Sequence, residues 1–336
     1  FLREDGSLTP YNKKIHVLNP KQVNKFKLSY NDLPKNDYVD SFVIADCLRF
    51  GRINKEVYLD DYRYAALKNL TRARFFAVQN LTREKQRFMN HLFKKYSTMA
   101  QEKVFSDTFS TTALAVYESF ESAEALANMD LHQLTEFIIE KGKKRFPDPD
   151  SVAKAIQKAA RSSYRLPKTV NDSVNQVLSI SISSMRAMES QIKAFDKAIA
   201  EQMALIPNTL TSVKGIGPVY SAGIIAEIGD INRFPTQASL AKYAGLVWSQ
   251  HQSGDFEAQN TRMIHSGNRY LKYYLCEAAL SLVRCDAEYR SFYHRKYKEV
   301  NKYQHKRALA LTARKLVRLV FRLLKDNCLY RAPESK

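Results

Sequence analysis

The sequence predicts a mainly α-helical protein that begins with the end of an α/β domain. Residues 60–96 contain neither glycine nor proline, and their apolar residues recur at broadly helical spacing. A second segment, 171–205, repeats its apolar residues mostly in steps of three and four. By contrast, the short segment 14–20 alternates apolar and polar residues in the way a strand does. Helix is therefore expected over most of the chain.

The first domain is predicted to span residues 1–58. Segment 14–20 ends in Asn-Pro, which is typical of the end of a short strand. Asn36 can cap a helix that continues to Phe50 and stops at Gly51. We interpret this succession of a strand and a capped helix as the C-terminal part of an α/β domain.

Residues 59–205 are predicted to form a helical, coiled-coil region. Several short helices within 105–165 should separate two long ones. The two long helices can pair as an antiparallel hairpin within the chain, or the apolar seam of the second can form a dimer interface, and the pattern does not choose between them. That seam consists of Leu178, Met185, Met188, Ile192, Phe195 and Ile199.

The chain carries a large excess of positive charge, with 53 Lys and Arg against 34 Asp and Glu, or +19. Residues 261–336 hold 18 Lys and Arg against 6 Asp and Glu, so this last region alone carries +12. A solvated basic helix face would explain part of it. Lysine and arginine neutralise phosphates and aromatic rings stack on bases, so nucleic acid is the favoured partner. The interleaved aromatic residues are Tyr270, Tyr273, Tyr274, Tyr289, Phe292 and Tyr293.

Cysteine usage and hydropathy exclude several other classes of protein. The four cysteines lie far apart without a CxxC pair, which predicts neither a zinc site nor a disulfide framework. No apolar run approaches the length of a membrane span, and no signal peptide is evident. We therefore expect a cytoplasmic, nucleoid-associated protein without a membrane partner.

The clearest local motif is the segment 212–229, which is typical of a helix-hairpin-helix. Gly215 and Gly217 allow a tight hairpin, and Pro218 suits the first position of the following helix. The free N–H groups at that helix start can bind a phosphate, with Lys214 adding positive charge. An ordinary tight turn between helices is the alternative interpretation.

Two carboxylates, Asp37 and Asp40, lie one turn apart on the same face of the predicted helix, whereas Asp46 lies on the opposite side. Like charges repel at this spacing, and a bound cation is one physical reason to tolerate them. Carboxylate oxygens suit Mg²⁺ or Mn²⁺. A solvated helix face is the commoner meaning of such a pair.

The polar loop 249–255 follows a short helix that ends near Gly245. Ser253 precedes Gly254, so its hydroxyl can be an exposed nucleophile with backbone N–H groups nearby, and His251 is close enough in sequence to act as a base. The alternative is a serine that merely stabilises a turn.

Together, these segments resemble the DEDD-type transposases of insertion sequences that move as circles, the bridge-RNA-guided recombinases, to which the Piv-type DNA invertases are related. Each fragment is common by itself, but their order and spacing are specific, and the match covers nearly the whole chain. The matching segments are 17–20, 35–41, 158–164, 215–218, 233–235, 243–246, 253–254, 262–263 and 267–269.

The resemblance implies an RuvC-like (RNase H-like) first domain in which four acidic residues bind Mg²⁺ or Mn²⁺. Asp37 and Asp40 match the last two of these acids, and the family strands that carry the other two precede Phe1. It also implies a helical C-terminal transposase domain, residues 206–336, with Ser253 as the catalytic serine. In the implied reaction, DNA strands are cut and rejoined through a covalent phosphoserine, with metal activating the serine and stabilising charge on the phosphate.

The implied partners are donor DNA, target DNA, a structured guide RNA and further copies of the chain, as a dimer or tetramer through the coiled coil. Two other functions stay open: a metal-dependent nuclease of the Holliday-junction type, and a non-catalytic nucleic-acid-binding protein built on the helix-hairpin-helix. We expect the nucleic acid to contact Lys214, Gly215, Gly217, Arg262, Arg269, Arg314, Lys315 and Arg318.

Overall fold

The computed structural model shows a mostly helical chain in two compact units, Phe1–Asp61 and Tyr62–Lys336. The prediction of a mainly α protein is confirmed, and the three predicted domains, 1–58, 59–205 and 206–336, stay a prediction. In the part of the chain that is described, no helix is long and apolar enough to cross a membrane. The structure describes residues 5–11, 14–30, 32–51, 61–102, 104–143, 145–249, 252–253, 256–257, 262–264 and 266–331.

In the first unit, the residues that the structure describes form a 3-10 helix, Gly6–Tyr11, and two α-helices, α1 (Pro20–Lys27) and α2 (Asp37–Arg49). The predicted start and stop of α2 are confirmed. The Asn36 side chain accepts a hydrogen bond of 2.8 Å from the backbone N–H of Val39. Phe50 ends the helix, and the next residue, a glycine, has a φ of +65°.

The strand predicted over 14–20 is wrong. Residues 14–19 have no regular structure, and α1 begins at Pro20. The side chain of Asn19 accepts a hydrogen bond of 3.0 Å from the N–H of Lys21, so the Asn-Pro pair begins a helix instead of ending a strand. Among the described residues of this unit there is no strand with which 14–19 could pair, and the RuvC-like fold stays a prediction.

Two long helices, α3 (Tyr62–Lys95) and α9 (Lys168–Met203), dominate the second unit and confirm the two predicted long helices. They run antiparallel and pack along each other within the chain. Arg74 pairs with Asp196, and 3.4 Å separates Lys85 Nζ from Glu189 Oε1. This pairing matches the intramolecular hairpin, and a dimer through the same region stays a prediction.

Between the long helices, the described residues form five shorter ones, α4 (Ser97–Gln101), α5 (Thr111–Ser119), α6 (Ala123–Asn128), α7 (Leu131–Gly142) and α8 (Pro149–Arg161). The prediction of several short helices here is confirmed. Their apolar faces meet the facing parts of the long helices in one core, because no helix of this length is stable without tertiary packing. Fully buried members include Phe88, Leu92, Tyr96, Leu126, Leu134, Ile138 and Ile156.

One charged residue is buried at the edge of this core. Lys95, the last residue of α3, is 2% exposed. Its Nζ donates a hydrogen bond of 2.9 Å to the carbonyl of Tyr117 and lies 5.0 Å from the ring centroid of Tyr96. Burial lowers the pKa of Lys95 to about 8, partly offset by the Glu121 carboxylate. The ammonium is therefore held at a cost to the folded state.

We expect the free energy of unfolding to rise by about 1–2 kcal/mol between pH 7.5 and 9.5 because of Lys95. In this window the unfolded chain, with an ordinary lysine pKa of about 10.4, binds the proton more tightly than the folded chain does. Raising the pH therefore favours folding. Urea unfolding of the parent and of Lys95→Met at both pH values measures the effect.

The Lys95→Met variant keeps the volume of the side chain without its titration, so its stability should lack this rise. Equal pH dependence in the two proteins would show that Lys95 does not titrate in the folded state within this window.

After α9, the described residues of the second unit form α10 (Pro218–Ile228), α11 (Gln237–Tyr243), β1 (Gln252–Ser253), β2 (Phe256–Glu257), α12 (Arg269–Cys285), α13 (Ala287–Lys298) and α14 (Gln304–Lys325), with 3-10 helices at Leu210–Ser212 and Ile231–Arg233. Central among these is α10, which packs on α3, α9 and α12. A Cβ at Gly223 would lie 2.3 Å from the ring of Tyr274. Glycine at this position therefore lets α12 approach the backbone of α10.

Candidate active site and nucleic-acid interface

The two predicted metal ligands lie in the first turn of α2. Asp37 is exposed, and 2.6 Å separates Asp40 Oδ1 from Lys27 Nζ. Asp46 is buried, and its carboxylate accepts hydrogen bonds from the hydroxyl of Tyr30 and, at 2.6 Å, from Nε of Arg49. Asp46 thus has a structural role in this unit.

These carboxylates do not by themselves fit a divalent metal. The Lys27 ammonium already neutralises Asp40, and the described residues contain no group of three or more His, Cys, Asp or Glu that could hold a metal ion. Mg²⁺ needs near-octahedral oxygen ligands. Lys27 and Asp40 line a cleft of about 540 Å³ that Lys35 and Tyr30 also line. We derive no catalytic step through a metal from this arrangement.

The predicted phosphate site lies at the N-terminus of α10. Gly215 has a φ of +106°, a conformation that side chains rarely adopt, and a Cβ there would lie 3.3 Å from Cβ of Cys285. Gly217 is the N-cap of α10 and makes no side-chain cap, so the first N–H groups have no capping oxygen. Lys214 is exposed beside them. Before the hairpin the chain forms a 3-10 helix, Leu210–Ser212, and the helix-hairpin-helix stays a prediction.

Ser253 is the last residue of β1, and it pairs with Phe256 of β2 in an antiparallel hairpin. The proposed base, His251, and the two residues after the serine, Gly254 and Asp255, lie outside the described residues.

A second pair of segments forms the base of this hairpin. Trp248 and Met263 form an antiparallel bridge. The N–H of Ser249 donates to the carbonyl of Arg262 at 2.9 Å, and its hydroxyl donates to the same oxygen at 3.0 Å. Arg262 therefore contributes its backbone to the base of the hairpin, and its side chain is exposed.

Two glycines allow the base of the hairpin to lie close against the helical core. Gly245 follows α11 with a φ of +69°, and Gly267 precedes α12 with a φ of +126°. A Cβ on Gly267 would lie 2.5 Å from the backbone nitrogen of Gly245, and a Cβ on Gly245 would lie 2.6 Å from the carbonyl oxygen of Ser266. The N–H of Asn268 donates to the carbonyl of Tyr243 at 2.7 Å. Both ends of the segment that carries Ser253 are thus fixed.

A buried carboxylate that sequence reasoning missed joins this region to α3. Glu227 of α10 is 1% exposed. Arg72 donates to both of its oxygens, from Nε at 2.7 Å and from Nη2 at 2.9 Å, and Asn268 Nδ2 donates to Oε2 at 2.7 Å. The Glu227 hydrogen bond raises the pKa of Arg72, and burial partly opposes this. A single acidic residue in the otherwise apolar run of α10 was the available signal.

Asn268 connects this carboxylate to the start of α12. Its Oδ1 accepts hydrogen bonds from the N–H groups of Tyr270 and Leu271, which caps the helix. Its Nδ2 also donates to the Tyr243 hydroxyl at 3.1 Å. One side chain therefore sets the start of α12 relative to α10 and α11.

The remaining predicted contacts differ in availability. On α14, Arg314 donates to Gln237 Oε1 at 2.9 Å, Lys315 pairs with Glu288 at 2.5 Å, and Arg318 is exposed. Arg269, at the start of α12, is exposed and lies against aromatic rings. Asp37 and Asp40 belong to the first unit, and every other predicted site residue belongs to the second.

Two protein-family models match the chain. The model described as the transposase IS116/IS110/IS902 family matches residues 208–294, and a DEDD transposase model of the IS110 type matches residues 6–96. The two matches cover the serine hairpin and the acidic helix.

Curated relatives of the chain include two insertion-element proteins and a probable transposase. An insertion element IS116 protein of Streptomyces clavuligerus is 25% identical over 96% of this chain and 79% of its own length. An insertion element IS110 protein of Streptomyces coelicolor is 33% identical over 43% of this chain and 34% of its own length. A probable family 20 transposase of Pseudomonas aeruginosa is 32% identical over 30% of this chain and 28% of its own length.

Proposed function

The chain belongs to the IS110/IS116 family of DEDD insertion-sequence transposases, and on that premise we propose that it cuts and rejoins DNA through a covalent phosphoserine at Ser253. The observation that carries the proposal is the backbone position of this serine. It ends a two-residue strand that pairs with β2, in a segment whose two ends are fixed to the core by two close glycines and Asn268. A nucleophile on a fixed segment of backbone loses little conformational entropy when it reaches a phosphate.

In the proposed reaction, the Ser253 oxygen forms a bond to phosphorus as the bond from phosphorus to a sugar oxygen breaks. The hydroxyl proton of the serine is lost, and the released sugar oxygen takes up a proton. A hydroxyl of the partner strand then gives up its proton and forms a bond to the same phosphorus. The bond from phosphorus to the Ser253 oxygen breaks, and the serine takes up a proton. The phosphodiester is conserved throughout, so the reaction needs no nucleotide cofactor.

We propose that the nucleic acid contacts the start of α10 and the basic surface of the C-terminal region. Gly215, Gly217 and Lys214 suit a phosphate, because uncapped N–H groups, the helix dipole and a lysine act together. The further contacts proposed are Arg262, Arg269, Arg314, Lys315 and Arg318. Arg262, Arg269 and Arg318 are exposed, whereas Lys315 would have to exchange Glu288 for a phosphate.

A structured guide RNA and a second copy of the chain are also proposed as partners. The net charge of +19 supports a large polyanionic partner. A dimer or tetramer through the long helices is supported by three apolar side chains that α9 leaves exposed, Val170, Val177 and Ile180, of which Ile180 is 60% exposed. Val177 and Ile180 share a helix face by their spacing, and Val170 lies about two turns before Val177, so these side chains form an uncovered stripe.

The function is tested by mixing the purified chain, donor DNA and target DNA with and without the RNA transcribed from its own insertion sequence. Joined donor–target products that require this RNA are the expected result. Joining without the RNA would contradict RNA guidance. Cut but unjoined strands would favour the Holliday-junction-type nuclease, and binding without cutting would favour the non-catalytic protein.

Asp37 and Asp40 remain our proposed Mg²⁺ or Mn²⁺ ligands, in company with further acidic residues. Because Lys27 competes for Asp40, we expect Lys27→Met to tighten Mn²⁺ binding by the protein several-fold, since the like-charged pair then has no cation of its own. Changing both aspartates to Asn should abolish that binding. Titration of Mn²⁺ monitored by electron paramagnetic resonance measures both effects.

Asp46→Asn serves as the control for this titration, because Asp46 is buried among its own hydrogen-bond partners. If Mn²⁺ binding is unchanged in the double Asp→Asn variant and in Lys27→Met, the pair is surface charge.

A further inference from the structure

Aromatic rings from two helices meet around one arginine on the surface of the second unit. Phe75 of α3 makes edge contacts with Phe76, Tyr270 and Tyr273, with ring centroids 5.5, 5.1 and 4.9 Å apart. The Arg269 guanidinium carbon lies 4.8 Å from the centroid of the Tyr270 ring and 5.4 Å from that of Phe76. We call these five side chains the Phe76–Arg269 patch.

The patch is open to solvent and positively charged. Phe76 is 46% exposed, and Arg269 is exposed. Arg269 Nη2 donates to the Tyr270 hydroxyl at 2.9 Å, and no carboxylate among the described residues pairs with it. A second arginine, Arg72, lies with its guanidinium carbon 4.5 Å from the Tyr270 ring centroid. Two cations therefore border the rings, and the ion pair with Glu227 is made by Arg72.

Packing alone explains only part of this arrangement. Tyr273 packs against the hydrophobic core, but Phe76 faces solvent. An apolar partner protein would gain from the exposed ring and would have to desolvate the arginines. A nucleotide satisfies both the exposed ring and the arginines, since its base stacks on a ring or guanidinium plane while its phosphate pairs with arginine.

We propose that the Phe76–Arg269 patch binds an unpaired nucleotide of single-stranded nucleic acid, with the base stacked on Phe76 and the phosphate held by Arg269. This inference rests on the proposed function and adds to it a binding mode for strands that are not in duplex form. Bases within a duplex stack on each other and do not present a face to the ring, so the patch discriminates against paired DNA.

Binding of the full chain to labelled oligothymidine and to a duplex of equal length tests the proposal. Phe76→Ala should bind the single strand roughly 5- to 30-fold more weakly, and the duplex within about twofold of the parent, because only the stack is lost. Phe76→Leu keeps an apolar side chain without a ring and should show the same selective loss. Arg269→Lys keeps the charge but not the guanidinium plane, and should also weaken single-strand binding.

Phe93→Ala is the matched control. Phe93 is 39% exposed on the same helix and lies beside another ring, that of Tyr164, with the two ring centroids 6.5 Å apart. This variant should bind both probes as the parent does. Repeating the titration with oligouridine tells whether the patch prefers an RNA or a DNA strand.

Three results would overturn the inference: unchanged single-strand binding by Phe76→Ala and Phe76→Leu, an equal loss for single strand and duplex, or an equal loss in Phe93→Ala. In each of these cases the strand-joining activity could still stand. A parent chain that binds neither probe would instead overturn the proposed function, and this inference with it.

Discussion

Alanine in place of Ser253 is expected to abolish the covalent protein–DNA adduct and strand joining, with a loss of roughly 10³-fold or more, because the reaction then lacks its nucleophile. Nucleic-acid binding should stay within about threefold of the parent, since the phosphate contacts that dominate affinity are untouched. Trapping the protein on labelled DNA and resolving it on a denaturing gel measures the adduct.

Ser249→Ala is the matched control for this experiment. Ser249 lies at the base of the same hairpin, and its hydroxyl donates to the carbonyl of Arg262. Losing that bond should cost about 1 kcal/mol of local stability and leave the adduct in place. If Ser253→Ala forms the adduct at the parental level, or if Ser249→Ala loses it instead, Ser253 is not the nucleophile.

The sequence was sufficient for the helices because their signals are local. Helical spacing and the lack of glycine and proline predict α3, and the Asn36 cap and the following glycine predict both ends of α2. The strand over 14–20 failed for a local reason too. An Asn-Pro pair suits the end of a strand and the start of a helix alike, and only the hydrogen bond from Lys21 to Asn19 decides between them.

The site was less predictable because its determinants are distant in the sequence. The spacing of Asp37 and Asp40 was enough to choose them as candidate metal ligands, but no local pattern predicts that Lys27 pairs with Asp40. Likewise, Glu227 and Arg72 are 155 positions apart. A chain of buried hydrogen bonds between distant elements leaves no periodic signature, so such a network is found only when the fold is known.

Removal of Arg72 is expected to destabilise the second unit strongly. Arg72→Ala leaves the Glu227 carboxylate buried, with the hydrogen bond from Asn268 still in place. Stripping one partner from a buried ion pair costs about 3–5 kcal/mol, and because the Arg72 side chain is 39% exposed, water can replace part of it, so we expect the lower end of that range. This corresponds to a fall in Tm of roughly 6–12 °C in a unit of this size.

The control is a single variant, and the stricter test is a double one. Arg83→Ala removes an exposed arginine from the same helix and should change Tm by less than about 2 °C. The double change Arg72→Met with Glu227→Met removes both charges from the site, so it should be more stable than Arg72→Met alone, because no carboxylate is then left buried and unpaired. Urea unfolding of the parent, of Arg72→Met, of Glu227→Met and of the double variant gives the coupling energy between the two side chains. A double variant no more stable than Arg72→Met would mean that Arg72 does not compensate the buried charge of Glu227, and that the link between α3 and the base of the serine hairpin is held by packing instead.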